Sequence, residues 1–433
     1  MPTTSSSQRF FPNPSAPLRT ADAKAELLAS LDRITSLHPP VHTCSTSWPF
    51  QGFYSGPTSI AFLFFRLHQI LPPDLSFSSS YKHQSLLDWA EAYLALGARL
   101  SETSPGPDPA HCGIANETLA HLALEAVVRR DEGLVKRLCG FEAGINDEGV
   151  GGSDEWLYGR AGYLYFLRLC RSAFFGEEGD EDGNTPTKNS NSGSGGSGSG
   201  SGSGSSALRN ILNTTIAHTT TRILSSPQPW TWHGKAYLGA AHGAIGIICQ
   251  VILSQPSAAP KLEPILASLL AAQRPSGNFP SSAGSESDRL VQFCHGGPGF
   301  VLSLAPLLAH FPALGPRMRD AVKRATEDIW ERGVLTKEPC LCHGVAGNAV
   351  AVAVGVGLGT WKEEKKEDRE VEERFEHFLS FMSTEGMEKI GWMRRAGRED
   401  GSAGLYTGEA GRAWVWGVKV SGGEKVCIGY NDV

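Results

Sequence analysis

The stretch CLCHGVAGN, residues 340–348, sets a thiol and an imidazole side by side at Cys342 and His343. A glycine and two small apolar residues follow. Glycine allows a tight turn and a close backbone approach, and two soft ligands in one turn suit zinc. FCHGGPG, residues 293–299, repeats the pattern upstream. Further glycine-centred segments echo it with other side chains: YSGPTSIAF at 54–62, HCGIANETLA at 111–120, LYGRAGYLY at 157–165, AAHGAIGI at 240–247 and LYTGEAGRA at 405–413. Each opens an apolar run with helical spacing and little charge.

Working outward, the reference glycines are Gly56, Gly113, Gly159, Gly243, Gly296, Gly344 and Gly408. Their separations fit a helix hairpin plus loops. The widest gap, between Gly159 and Gly243, holds an insert at 176–206 that is acidic first and then nearly pure Gly/Ser. Such a tract cannot bury apolar area and reads as a flexible loop. Deleting residues 191–205 is therefore expected to leave folding and activity nearly unchanged. Between the glycine units lie more polar helical patterns, among them 21–34, 81–100, 207–224, 262–272, 316–330 and the charged run 361–381.

Apolar helices alternating with charged ones give the polarity of a double ring. The sequence thus predicts an all-α fold, an (α/α)7 toroid of seven inner helices ringed by seven outer ones. The competing architecture, an open helical solenoid, needs polar capping units, and neither terminal unit is polar on its outer face. Residues 1–20 read as a disordered or loosely docked arm, and 21–433 as a single toroid domain.

The bulk composition removes other classes. A net charge of −6 offers no general attraction to nucleic acid or to anionic membranes. Nine cysteines without dense spacing point to a reducing compartment rather than a disulfide framework. The N-terminus has no apolar run of signal length, and no stretch has the length and apolarity of a transmembrane helix. The expected location is the cytoplasm, with nuclear or peripheral membrane association compatible.

Cys294, Cys342 and His343 are the expected zinc ligands. Each occupies the turn before a glycine-led helix, in consecutive units whose turns converge at one end of a ring. Three protein ligands leave a fourth position open, the catalytic rather than the structural arrangement. His295 is a substitute ligand, and Cys340 either a spare thiol or a competitor for the metal. Cys112, in a distant unit, reads as non-ligating. His242, at the matching turn of the neighbouring unit, faces the same mouth and suits proton transfer. His233 is a weaker candidate for that role. Two buried cysteines and helix-capping histidines would give the same triplets without any metal.

The segments YSGPTSIAF, EWLYGRAGYLYFL (155–167), WHGKAYLGAAHGAIGI (232–247), FCHGGPG and CLCHGVAGN together resemble the eukaryotic lanthionine synthetase C-like proteins, relatives of the bacterial lantibiotic cyclases. The likeness runs across all seven glycine units, from about residue 52 to 418. It implies the toroid, a zinc ion on Cys294, Cys342 and His343, and acid/base work for His242. It implies glutathione as co-substrate and dehydroamino-acid-containing or phosphorylated proteins and peptides as partners. The implied reaction is addition of the glutathione thiol to dehydroalanine or dehydrobutyrine, with phosphate elimination from phosphoserine or phosphothreonine as a companion activity. Lys337 matches a family lysine near the phosphate and glutathione site. Arg398 lies near the place of a second cation, with Arg395 as its competitor.

The seventh unit departs from the family. It reads Tyr406-Thr407-Gly408-Glu409 where a phenylalanine–glutamate pair is usual before the glycine, and the segment before it lacks the usual proline. The departure bears on anion recognition more than on zinc. Two other functions stay in view. One is a non-catalytic zinc- and glutathione-binding adaptor. The other is a toroid glycosidase, which needs two carboxylates about 5–9 Å apart in the mouth; the acidic residues near the turns are Glu117, Glu155 and Glu409.

Overall fold

The computed structural model describes residues 9–13, 21–41, 51–73, 75, 81–101, 106–176, 202–359, 364–391 and 402–433. Among them there is no β-strand, only isolated bridges. The helices in chain order are α1 (Ala23–Leu37), α2 (Pro57–Ile70), α3 (Leu86–Ser101), α4 (Glu117–Arg129), α5 (Glu132–Gly140), α6 (Glu142–Ile145), α7 (Arg160–Phe175) and α8 (Gly202–Ser225). They continue with α9 (Ala244–Ser254), α10 (Ala259–Ala271), α11 (Gly297–Leu307), α12 (Gly315–Arg332), α13 (Val345–Gly359), α14 (Glu364–Phe381), α15 (Thr384–Ile390) and α16 (Glu409–Ser421).

Seven of these form a closed inner ring. α2 packs on α4, α4 on α7, α7 on α9, α9 on α11, α11 on α13, α13 on α16, and α16 returns to α2. The last contact joins the ends of the chain and decides between toroid and open solenoid. The inner helices are buried nearly all round; every residue of α9 except Leu253 is buried. A helix apolar on every side needs neighbours on every side, and a double ring supplies them. The outer helices bury one stripe each. α12 buries Met318, Val322, Ala325 and Ile329 at three- and four-residue spacing against α11 and α13, and its other face carries charge. α1 lies on α16, α3 on α2, α5 on α4, α8 on α7, α10 on α9 and α14 on α13.

The turns that lead into the inner helices are laced together by backbone hydrogen bonds. Phe53 N donates to Ile114 O, Ile114 N to Trp156 O, and Leu157 N to Ala241 O. Cys294 N donates to Cys342 O, Cys342 N to Tyr406 O, and Tyr406 N to Tyr54 O. Between the fourth and fifth units the Gly239 backbone lies so close to Cys294 O that a Cβ would sit 2.3 Å from it. This belt runs round one end of the ring and fixes the register of one turn against the next. Gly296 shows why glycine leads: its φ is +115°, and a Cβ would meet Leu290 O at 2.1 Å.

The second unit corrects the expected register. α4 is capped by Asn116, whose side chain accepts from Leu119 N, rather than by Gly113. The residue two before the cap, equivalent to Cys294 and Cys342, is therefore Ile114 and not Cys112. Gly113 is small for another reason: the backbone of Leu157 and Tyr158 lies against it.

Residues 427–433 thread the lumen. Gly429 O accepts from Trp156 Nε1, and Tyr430 O accepts from Gln250 and Arg168. The Tyr430 hydroxyl pairs with Ser303, and Asn431 donates to Leu302 O. Asp432 accepts from the Tyr165 hydroxyl and pairs with Arg66 at 3.2 Å. These partners stand on α2, α7, α9 and α11 and in the turn that leads into α7, so the segment that reaches them all lies inside the ring. At the other end of the chain, residues 9–13 dock beside the fifth unit's exit: Phe11 N donates to Val334 O, and Thr336 N to Arg9 O. Most of the insert, residues 177–201, lies outside the described residues; the chain is described again from Gly202, where α8 begins ahead of the expected Ala207.

Candidate metal centre

Cys294 and Cys342 sit two residues before the first residue-caps of α11 and α13, where the belt holds adjacent turns side by side. The Cys294 N to Cys342 O bond is 3.1 Å long. One ligand atom from each of Cys294, Cys342 and His343 lies within 4.8 Å of the others, and this is the one such His/Cys/Asp/Glu group among the described residues. Both thiols are buried and His343 is half-buried. Two polar side chains aim at the sulfurs: Gln292 Nε2 donates to Cys294 Sγ at 3.0 Å, and the Tyr54 hydroxyl donates to Cys342 Sγ at 3.3 Å.

The electrostatics suit a cation. The hydrogen bond from Cys342 draws the Cys294 thiol below its ordinary range, against its burial, and the same contact together with burial pushes Cys342 well up. Without a metal the two thiols are thus unequal, Cys294 being the more readily ionised of the pair. Burial, followed by the charge of Lys337, keeps His343 in its neutral, ligating form. Two thiol sulfurs and a neutral imidazole around one point are a zinc-type donor set. Hydrogen-bond donors aimed at the sulfurs are what a ligating thiolate accepts. The residues present therefore fit the ion. Cys340 stands outside this group; burial pushes its thiol up to about 12.

His242 occupies the turn before α9. Its ring lies flat on Trp232, centroids 4.0 Å apart and 7° between planes, with Tyr158 stacked on the same cluster. Its Nδ1 is 3.1 Å from Glu155 Oε2. Glu155 is itself immobilised, accepting from Leu157 N at 2.8 Å and Tyr158 N at 2.6 Å. A carboxylate at Nδ1 selects the tautomer with its proton there and turns Nε2 outward. His295 follows Cys294 in the chain, and its ring lies 6.0 Å from that of His242. Burial first, then the charge of His242, pushes His295 down to about 4, so this imidazole is neutral at physiological pH.

Lys337 is exposed, and its charge acts on Cys294, His295 and His343. Lys235, which the sequence reading passed over, acts on His295 as well. Arg398 and its competitor Arg395 lie outside the described residues. His233 is exposed, in a left-handed turn beside Trp232. The three carboxylates near the turns are all engaged. Glu155 holds His242. Glu117 accepts from Gly52 N and the Thr58 hydroxyl. Glu409 pairs with Arg33 and Arg412 at 3.1 and 3.0 Å.

Tyr54, Gln292 and the task of Glu155 escape a sequence scan. Gln292 had a local signal, since it lies two residues before a ligand. Tyr54 is 288 residues from Cys342 and meets it only because the ring closes. Among the described residues no helix is long and apolar enough to cross a membrane.

A family model described as lanthionine synthetase C-like protein matches residues 48–416. Over 320 residues the chain is 28% identical to glutathione S-transferase LANCL1 of Danio rerio, covering 68% of this chain and 67% of that protein. It is 29% identical over 281 residues to LanC-like protein GCL1 of Arabidopsis thaliana, covering 63% of this chain and 57% of that one.

Proposed function

We propose that this chain, which belongs to the lanthionine synthetase C-like proteins, is a zinc-dependent transferase that adds the thiol of glutathione to dehydroalanine or dehydrobutyrine side chains. The observation that carries this reading is the meeting of Cys294, Cys342 and His343 within 4.8 Å in a buried turn cluster. The glutathione S-transferase name of the Danio rerio relative supports the choice of thiol. Zinc held by these three residues would supply the Lewis acid that keeps the glutathione sulfur as thiolate at neutral pH.

The chain's own residues account for the remainder of the reaction. As the sulfur bonds to the β-carbon of the dehydroamino acid, the alkene pair moves onto the α-carbon and its carbonyl. A proton must then reach the α-carbon. His242 Nε2 takes up the proton that the glutathione thiol loses and then delivers it there, its ring held by Glu155 at Nδ1 and by Trp232 on one face. The same nitrogen serves phosphate elimination in reverse, removing the α-proton of a phosphoserine or phosphothreonine while phosphate leaves the β-carbon. Lys337 sits where its charge draws an anionic substrate or the carboxylates of glutathione toward the mouth. Arg398 is the second cation proposed for this task. A protein with these groups acts in the cytoplasm, where glutathione is abundant and thiols stay reduced.

The test offers the purified protein glutathione and a dehydroalanine peptide, with the adduct followed by mass and the bound metal measured separately. About one zinc per chain and an adduct forming faster than in the protein-free mixture are expected. Zinc with no acceleration across several peptides would overturn the enzyme reading in favour of a non-catalytic zinc- and glutathione-binding adaptor. Full zinc retention in both Cys294→Ala and Cys342→Ala would remove the metal assignment.

A further inference from the structure

We infer that Tyr54 is a positioning residue for the metal centre: its hydroxyl, 3.3 Å from the Cys342 sulfur, donates a hydrogen bond that fixes this ligand and draws charge from it. The inference rests on the reading of Cys294, Cys342 and His343 as zinc ligands. Tyr54 belongs to the first unit and Cys342 to the sixth, with the seventh between them. Cys342 N donates to Tyr406 O, and Tyr406 N donates to Tyr54 O, both at 3.0 Å. Three consecutive turns of the ring are thereby tied in order, and the phenol is delivered across the seventh.

The ring of Tyr54 is not free to turn away. It lies parallel to the ring of Tyr406, 10° between planes and centroids 5.7 Å apart. Tyr406 is fully buried, and its own hydroxyl donates to Ile428 O at 2.7 Å, in the segment that fills the lumen. The line of support therefore runs from the lumen through Tyr406 to Tyr54 and ends on the sulfur. Packing alone would be satisfied by phenylalanine. The Tyr54 hydroxyl is half-buried, and the partner it meets there is a ligand atom.

A ligating thiolate keeps lone pairs that accept hydrogen bonds, and a donor there lowers the charge the sulfur passes to the metal. The metal is left a stronger Lewis acid, which favours ionisation of an incoming thiol. Gln292 gives Cys294 a corresponding donor at 3.0 Å. Tyr54 thus acts through Cys342 and touches no substrate in this account.

The experiment uses the full chain with zinc exchanged for cobalt(II), whose sulfur-to-metal charge-transfer absorption reports the electron density on the thiolates. Tyr54→Phe keeps the stacked ring and loses only the donor. Its charge-transfer band is expected at longer wavelength than that of the wild type, and the zinc form should yield its metal to a competing chelator about 10-fold more readily. Tyr406→Phe keeps the Tyr54 hydroxyl and should leave the band near its wild-type position, which separates the hydroxyl from the aromatic packing. Thermal melting of each variant checks that it is folded. A Tyr54→Phe band at the wild-type wavelength in folded, metal-loaded protein overturns the inference. A wild-type protein that takes up neither zinc nor cobalt overturns the metal reading itself, and this inference with it.

Discussion

His242 has its imidazole face against Trp232 and its Nδ1 on a carboxylate that also accepts from two backbone N–H groups and the Ser153 hydroxyl. A side chain so held has one nitrogen with which to do chemistry. His242→Ala should keep its zinc, because the residue is outside the Cys294–Cys342–His343 group, and should slow the adduct by roughly 10²–10⁴-fold. Retained zinc with an unchanged rate would remove the proton-transfer role. Lys337→Ala should act differently, raising the glutathione or phosphopeptide concentration needed while sparing the rate at saturation, because an exposed cation steers and holds rather than reacts. At this scale the sequence was legible where the chemistry is local. Two CHG triplets name three residues that the fold does bring together. The partners of those residues were not legible, because Tyr54 and Glu155 reach them from other units and their spacing carries no local pattern.

α4 shows what a motif scan can and cannot register. Glycine caps α2, α7, α9, α11 and α16, and at α4 the cap is Asn116. An asparagine side chain does by hydrogen bonding what the other turns do by backbone freedom, so the glycine three residues earlier misplaced the register of that one turn. The helix periods themselves were clear, because an apolar run bounded by turn residues fixes existence and type better than ends. α4 also opens on Glu117, which lies buried against Gly52 N and the Thr58 hydroxyl. Burial pushes this carboxyl up to about 7 from an ordinary 4.5, against the two hydrogen bonds it accepts. Between those two values the folded protein holds a proton that the unfolded chain releases. Its contribution to stability is therefore full below about pH 4.5 and is lost as pH rises through 7. Glu117→Gln has no such proton to lose. Its stability relative to wild type should rise by on the order of 1–3 kcal/mol between pH 5 and pH 8. Melting curves of the two proteins at both pH values measure this, and a difference that stays constant with pH would show that the carboxyl is ionised in the fold.

A ring of seven helix pairs has a weakness that a linear stack does not: it must close, and its lumen must be filled. Closure falls to α16, which packs on α13 and α2. Filling falls to residues 427–433, and the sequence announced no such role, since GYNDV has neither period nor apolar run. The structure gives that segment hydrogen-bonding partners on four inner helices and, through Tyr406, on the turn beside the metal centre. Such a segment braces the ring across its diameter. Asp432 is the polar centre of the brace. Its carboxylate is fully buried and answers Arg66 and the Tyr165 hydroxyl. Removing one partner of a buried pair leaves the other charge uncompensated and costs about 3–5 kcal/mol. Asp432→Ala should therefore lower stability by about that amount, and it should do so for the ring as a whole, because the orphaned contacts belong to two separate inner helices, α2 and α7, and to a segment that also holds α9 and α11. Denaturant unfolding followed by helix content and by tryptophan emission should show one shared transition moved to lower denaturant. Trp156 reports on this directly, since its indole donates to Gly429 O within the same segment. An early, separate tryptophan transition with helix content unchanged would mean that the segment detaches alone and that the ring stands without it.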